Sequence, residues 1–166
     1  MDSPRDTYDR VKLYIYHAAQ CDPKKCTALK MLRYRLARRI DRLSHIPRSA
    51  VILDPYSNLV LSNDDCRNLL NYGLVALDCS WENAEELFTS KIKAQRRRLP
   101  DMLAGNPINY AVRNKLSTVE AFAGALITCG FIRQAREILA KFKWGQNFLT
   151  LNSIETPLPG VAGSPR

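Results

Sequence analysis

Gly73-Leu-Val-Ala-Leu-Asp-Cys-Ser-Trp81 is an apolar run that stops abruptly on an acid and an aromatic. It reads as a buried strand meeting the start of a helix. In open α/β sheets, ligands settle outside the carboxyl ends of the strands. Asp78 and Trp81, set side by side at such an end, are therefore candidates for one pocket. The plainer readings are an acid capping the next helix and a tryptophan in the core.

Working outward, Val11-Lys-Leu-Tyr-Ile-Tyr-His17 and Ala50-Val-Ile-Leu-Asp54 have the same β-branched and aromatic character, which makes three strand candidates. Between the first two, Leu29, Leu32 and Leu36 recur at helical spacing, with Thr27 placed to cap. The spacing predicts a helix from 27 to about 40. Strand, helix, strand implies parallel pairing. A further helix is predicted over 82 to about 92, after which the composition turns basic. Beyond, Ser117-Thr-Val-Glu120 is a capping box opening an alanine-rich helix that Gly130 ends, and Phe131 to Lys143 reads as another. The expected organisation is an α/β domain over 1–92, a helical part over 93–153, and a proline- and glycine-rich tail over 154–166 that frays.

The chain has 166 residues, 46% of them apolar, so a substantial core is within reach. No apolar run approaches the roughly 18 residues of a membrane span. The N-terminus also lacks the apolar stretch of a signal peptide, so a cytoplasmic protein without a membrane partner is expected. The 25 lysines and arginines exceed the 16 acids, giving a net charge of +9. An excess of this size favours a polyanion, above all nucleic acid, through counterion release. Lys24, Lys25, Arg33, Arg38, Arg39, Lys93, Arg96, Arg97 and Arg98 are the expected RNA contacts. The first basic group, Lys30 to Arg42, is placed on one helix, and few acids stand near either cluster in sequence. For Tyr34 and Tyr110, a place in the core is preferred to stacking on bases.

Five cysteines are an odd number in a chain with an ample core, which suits reduced thiols better than a disulfide framework. Cys21-Asp-Pro-Lys-Lys-Cys26 offers two thiols, but a closed zinc site needs four ligands, and the only histidines are His17 and His45. No metal is expected. The loop reads instead as a pocket rim, and Thr27 equally as a plain cap or as a receiver of a polar ligand group.

Taken together, CDPKKCT (Cys21 to Thr27), LDP (Leu53 to Pro55), LDCSW (Leu77 to Trp81), RRLP, LAGNPINY (Leu103 to Tyr110) and KLSTVEA (Lys115 to Ala121) closely resemble the small-subunit ribosomal RNA aminocarboxypropyltransferases. The likeness runs over roughly residues 11 to 150. Two departures stand out: Gly105 where alanine is expected, and Ala111-Val-Arg-Asn114 where the family has a glycine-arginine-proline sequence after the tyrosine.

The resemblance implies a parallel sheet of the trefoil-knotted, SPOUT-like type followed by an all-helical part. It implies S-adenosylmethionine as co-substrate and small-subunit ribosomal RNA or a pre-ribosomal particle as partner, with the protein a monomer. By the same analogy Thr27 hydrogen-bonds the ribose, and backbone groups around Leu74, Leu99, Asn114 and Thr118 hold the nucleoside. The implied reaction moves the 3-amino-3-carboxypropyl group to the imide nitrogen of a uridine or pseudouridine and releases 5′-methylthioadenosine. All three carbons on the sulfonium are electrophilic, so geometry must select one. Trp81 is the candidate wall that covers the methyl. Asp78 is the candidate base for the imide proton, or else the group that orients base or cofactor. Two rivals are an S-adenosylmethionine-dependent RNA methyltransferase and a non-catalytic assembly factor that binds pre-ribosomal RNA.

Overall fold

The computed structural model describes residues 9–17, 26–78 and 94–154. The predicted helix over 82–92, the tail beyond 154, and Trp81, Lys24, Lys25, Lys93, Cys21 and Cys79 lie outside them. Five parallel strands, β1 (Leu13–His17), β2 (Arg38–Ile40), β3 (Val51–Leu53), β4 (Leu74–Asp78) and β5 (Gln95–Arg97), form one sheet in the order β2-β1-β4-β3-β5. The described α-helices are α1 (Thr27–Arg33), α2 (Cys66–Tyr72), α3 (Thr118–Thr128), α4 (Ile132–Leu139) and α5 (Gly145–Leu151), with two short 3-10 turns at Leu43–His45 and Asn63–Asp65.

Alternation along the strands divides the core in two. Leu13, Ile15, Val51, Leu53, Leu74 and Ala76 face the helices in the larger cluster, with Met31, Leu69, Phe122, Leu126, Ile138 and Phe148. Ile52, Val75 and Leu77 face the other way, onto Ile40, Ile46 and Ala50. The three central strands are thus covered on both sides, as parallel strands require. Gln134 of α4 fastens the helices to the entry of β1: its side chain accepts from Val11 N and donates to Val11 O, each at 2.9 Å. No helix among the described residues is long and apolar enough to cross a membrane.

The structure corrects several expectations. The helix expected to reach 40 stops at Arg33, because Arg35 takes a left-handed conformation (φ 57°) and Leu36 N closes back on Met31 O at 3.0 Å. That closure is a Schellman turn. It delivers Leu36 to the core by reversing the chain, which is why its spacing looked helical. Arg38 and Arg39 therefore stand exposed on edge strand β2 and not on a helix face. The part after residue 93 is not all helical: Gln95–Arg97 is β5, an edge strand concealed by its arginines. The helix expected from Phe131 to Lys143 ends at Leu139, and a separate α5 follows. Finally, Cys66 and Cys129 are joined in a disulfide, with Cα atoms 5.3 Å apart, where reduced thiols were expected. Counting cysteines cannot show that α2 and the end of α3 bring two buried cysteines to the same core.

The β4 strand begins one residue later than expected and takes in Asp78. Gly73 is the reason: it caps α2 at φ 101°, and a Cβ there would lie 2.6 Å from the Tyr14 ring.

Candidate active site

β1 leads out to β2 on one side of the sheet, whereas the chain leaving β4 returns at β5 on the other, so the two central strands flank a topological switch point. Crevices of this kind receive ligands. The last residues of these strands, His17 and Asp78, lie directly opposite one another in the register. His17 Nε2 is 3.3 Å from Asp78 Oδ2, with side chains only 5% and 17% exposed. Cys26, which caps α1 by accepting from Leu29 N at 3.5 Å, donates its thiol to the same Oδ2 at 3.4 Å. The second carboxylate oxygen accepts from Thr118 Oγ1 at 3.2 Å. Asp78 thus joins two strands and the starts of two helices.

Beside it opens a cavity of about 360 Å³, lined by Cys26, Thr27, Leu77 and Asp78 together with Asp54, Arg98, Leu99, Asn106, Asn114 and Thr118. This is the size of a small-molecule site. Four of the five cofactor residues implied by the resemblance, Thr27, Leu99, Asn114 and Thr118, meet here. Leu74 does not: it starts β4, at the opposite end from Asp78, and is fully buried. Thr27 is not the cap of α1, and its hydroxyl oxygen instead accepts from Val119 N at 3.3 Å, tying α1 to the first turn of α3.

The outer wall is a loop held from beneath by one buried carboxylate. Glu120 Oε1 accepts from Gly105 N at 2.6 Å and Asn106 N at 3.0 Å, while Oε2 accepts from Asn106 Nδ2 and Ser117 N at 2.7 Å and from Ser117 Oγ at 2.8 Å. The expected capping box is present, and it anchors the loop as well as the helix. Both sequence departures fall in this loop. A Cβ on Gly105 would lie 2.7 Å from Phe148 Cα, so glycine admits the backbone of α5. Ala111, the first residue of the second departure, adopts φ 61°, a left-handed conformation costing roughly 1–2 kcal/mol for an L-residue. Asn114 (φ 58°) tolerates that region better. Its side chain donates to Asp101 Oδ1 at 2.9 Å and accepts from Met102 N at 3.1 Å.

The basic residues separate into two groups on opposite edges of the sheet. Arg38 and Arg39 are exposed on β2, near Arg33 at the end of α1. Arg96, Arg97 and Arg98 are half-buried at β5. Contrary to the expected scarcity of acids, Arg97 pairs with buried Asp65 at 3.0 Å, Arg96 Nη1 lies 3.9 Å from buried Asp54, and Arg39 pairs with Asp41 at 3.0 Å. Arg98 donates to Ser57 O and Asn58 O and also lines the cavity. The preference for a core position fails for both tyrosines. Tyr34 is 47% and Tyr110 57% exposed, and Lys30 and Lys141 lie over the Tyr34 ring at 5.8 and 5.6 Å.

A family model described as "Ribosome biogenesis protein, C-terminal" matches residues 51–156. Curated relatives named 16S rRNA aminocarboxypropyltransferase include one from Methanosarcina acetivorans, 49% identical over 92% of this chain and 86% of its own. Another, from Methanosarcina mazei, is 50% identical over 86% of this chain and 82% of its own. Among solved structures, the SAM-dependent rRNA:acp-transferase Tsr3 from Vulcanisaeta distributa superposes with a TM-score of 0.83 at 39% identity, covering 87% of this chain and 79% of that one. A second family model, "Possible Fer4-like domain in RNase L inhibitor, RLI", matches residues 11–43. That matched segment holds two of the five cysteines, Cys21 and Cys26.

Proposed function

Because the chain belongs to the 16S rRNA aminocarboxypropyltransferase family, we propose that it moves the 3-amino-3-carboxypropyl group of S-adenosylmethionine to the imide nitrogen of a uridine or pseudouridine in small-subunit ribosomal RNA. The nitrogen lone pair forms a bond to the γ-carbon of the methionine moiety. The carbon–sulfur bond breaks toward sulfur, 5′-methylthioadenosine leaves, and the imide proton passes to a base. The observation that carries this reading is the cavity that Thr27, Leu99, Asn114 and Thr118 line together with Asp78 at the sheet's switch point. Asp78 is the base or the orienting group, and Trp81 the wall that covers the methyl. The segment 93–153 completes the pocket through Leu99, Asn114 and Thr118. A cytoplasmic monomer and a trefoil-knotted, SPOUT-like path belong to the same proposal.

The test is the nucleoside product. Incubated with S-adenosylmethionine and unmodified small-subunit RNA, the protein yields methylthioadenosine in step with the modified uridine. S-adenosylhomocysteine in its place would make it a methyltransferase. An absence of cofactor binding by calorimetry would leave an assembly factor. In the same assay Trp81→Ala is expected to slow transfer and to let some S-adenosylhomocysteine appear. An unchanged rate and an unchanged product would dismiss the steering role.

For the RNA, the exposed β2 edge is the proposed phosphate contact and the β5 edge a mixed one, since Arg96 and Arg97 also serve buried aspartates. Replacing both Arg38 and Arg39 by alanine should lower the slope of log affinity against log salt by about 1–2, as loss of two phosphate contacts requires. Fluorescence anisotropy with a labelled RNA fragment over a salt series measures it. An unchanged slope removes the β2 edge from the interface.

A further inference from the structure

We propose that His17, Cys26 and Asp78 form a mononuclear site for a divalent cation of the zinc class at the edge of the cavity. Their ligand atoms lie within 4.8 Å of one another. The three edges of this triangle are 3.3 Å from His17 Nε2 to Asp78 Oδ2, 3.4 Å from Cys26 Sγ to Asp78 Oδ2, and 3.8 Å from Cys26 Sγ to His17 Nε2. A tetrahedral ion with bonds of roughly 2.0–2.1 Å to nitrogen and oxygen and 2.3 Å to sulfur spaces its ligands about 3.3 Å (N to O) and 3.6 Å (S to either). The observed edges bracket those values. A histidine–aspartate ion pair alone would need no sulfur within reach of both partners.

The donor set and its supports point the same way. Imidazole, thiolate and carboxylate together suit zinc or cobalt and not magnesium or calcium, which take oxygen ligands. Thr118 Oγ1 occupies Asp78 Oδ1 and so turns Oδ2 to the other two ligands, while Leu29 N donates to Cys26 Sγ. Outer contacts of this kind orient metal ligands. Parallel pairing of β1 with β4 fixes the spacing of His17 and Asp78 independently of any ion. Cys26 and Asp78 form part of the cavity wall, so an ion held here would border the space where a ligand sits. One thiolate and one carboxylate cancel the charge of a dication, leaving a site compatible with a sulfonium nearby. Such an ion would offer a Lewis-acidic contact to an imide or carboxylate.

Cobalt(II) titration of the full chain, under argon and without added thiol so that the disulfide stays intact, tests the assignment without reading activity. A failure here therefore leaves the transferase reading standing, and a failure of that reading leaves the metal site to be judged by its own spectra. The wild-type protein should bind one equivalent, with the visible absorption of tetrahedral cobalt and a thiolate-to-cobalt charge-transfer band that zinc displaces. Cys26→Ser should abolish the band, and His17→Asn should weaken binding by more than the ~100-fold that loss of an outer contact can cost. Zinc-edge X-ray absorption of the wild-type protein needs no variant and should show one sulfur neighbour with the remainder nitrogen or oxygen. The proposal is overturned by the absence of a charge-transfer band, by a band that survives in Cys26→Ser, by a His17→Asn titration superimposing on wild type, or by two or more sulfur neighbours.

Discussion

Glu120→Ala is expected to cost about 3–5 kcal/mol of stability and to lower the melting temperature by about 6–20 °C. The side chain is fully buried, and five donors converge on its two oxygens. Truncation leaves the buried Gly105 N and Asn106 N and the half-buried Ser117 N without their acceptor, and each orphaned buried donor costs about 1–3 kcal/mol. Glu120→Gln is the sharper variant because it keeps the shape. An amide has one acceptor oxygen, so its NH₂ must face the Gly105 and Asn106 amides in one orientation or the Ser117 and Asn106 donors in the other. Donor opposes donor either way, and glutamine should be nearly as damaging as alanine. The loop so loosened carries Asn106, Asn109, Asn114 and Leu116 of the cavity wall, so cofactor affinity should fall with stability. Thermal melts followed by circular dichroism, with calorimetric cofactor titrations, measure both. A Gln variant melting within about 2 °C of wild type, less than 1 kcal/mol on this scale, would show that the carboxylate does not anchor the loop.

Ser117 and Glu120 were legible in the sequence because a capping box is local: four consecutive residues hold all of its geometry. The strand ending in Asp78 was legible for the same reason, since a short unbroken apolar run identifies itself. What escaped was set by contacts distant in sequence. Leu36 is at helical spacing from Leu32, and only the left-handed Arg35 and its Schellman closure reveal that the helix has already ended. The β5 strand is three polar residues whose pairing with β3 is invisible until the sheet is assembled. Glu120 was read as half of a cap, and its grip on Gly105 and Asn106 required the loop to fold back over fourteen or fifteen residues. His17 was missed as a site residue although a signal was present. Leu-Tyr-Ile-Tyr-His17 and Leu-Val-Ala-Leu-Asp78 both end an apolar strand on a polar group, and pairing them in parallel brings those two ends together. The same pairing draws in Cys26 from the start of α1, a proximity that the scarcity of histidines and cysteines had argued against.

Asp78→Asn should reduce the rate of aminocarboxypropyl transfer by ~10²–10⁴-fold, the range for loss of a general base, while S-adenosylmethionine still binds. Asparagine preserves the outline of the site. Its carbonyl oxygen can go on accepting from Thr118 Oγ1, and its NH₂ replaces Oδ2 beside His17 and Cys26. The substitution therefore removes negative charge and proton affinity without opening a hole, which Asp78→Ala would not do. If Asp78 removes the imide proton, single-turnover transfer slows while cofactor affinity holds. If it only orients the cofactor, affinity and rate fall together, because Thr118 and Thr27 line the same cavity. If transfer proceeds undiminished with the cofactor tightly bound, neither role survives. A carboxylate is a poor base for an imide, so a base role draws on its surroundings. Among the described residues, His17 and Cys26 meet one oxygen and Thr118 the other. The histidine can take a proton onward. A cation held by the three ligands would instead make the imide a stronger acid, so that less is asked of the carboxylate. Cobalt binding and transfer rate, measured on the same Asp78→Asn protein, distinguish these. Loss of both implicates the ion, whereas loss of transfer with cobalt still bound at wild-type affinity leaves the carboxylate acting as the base.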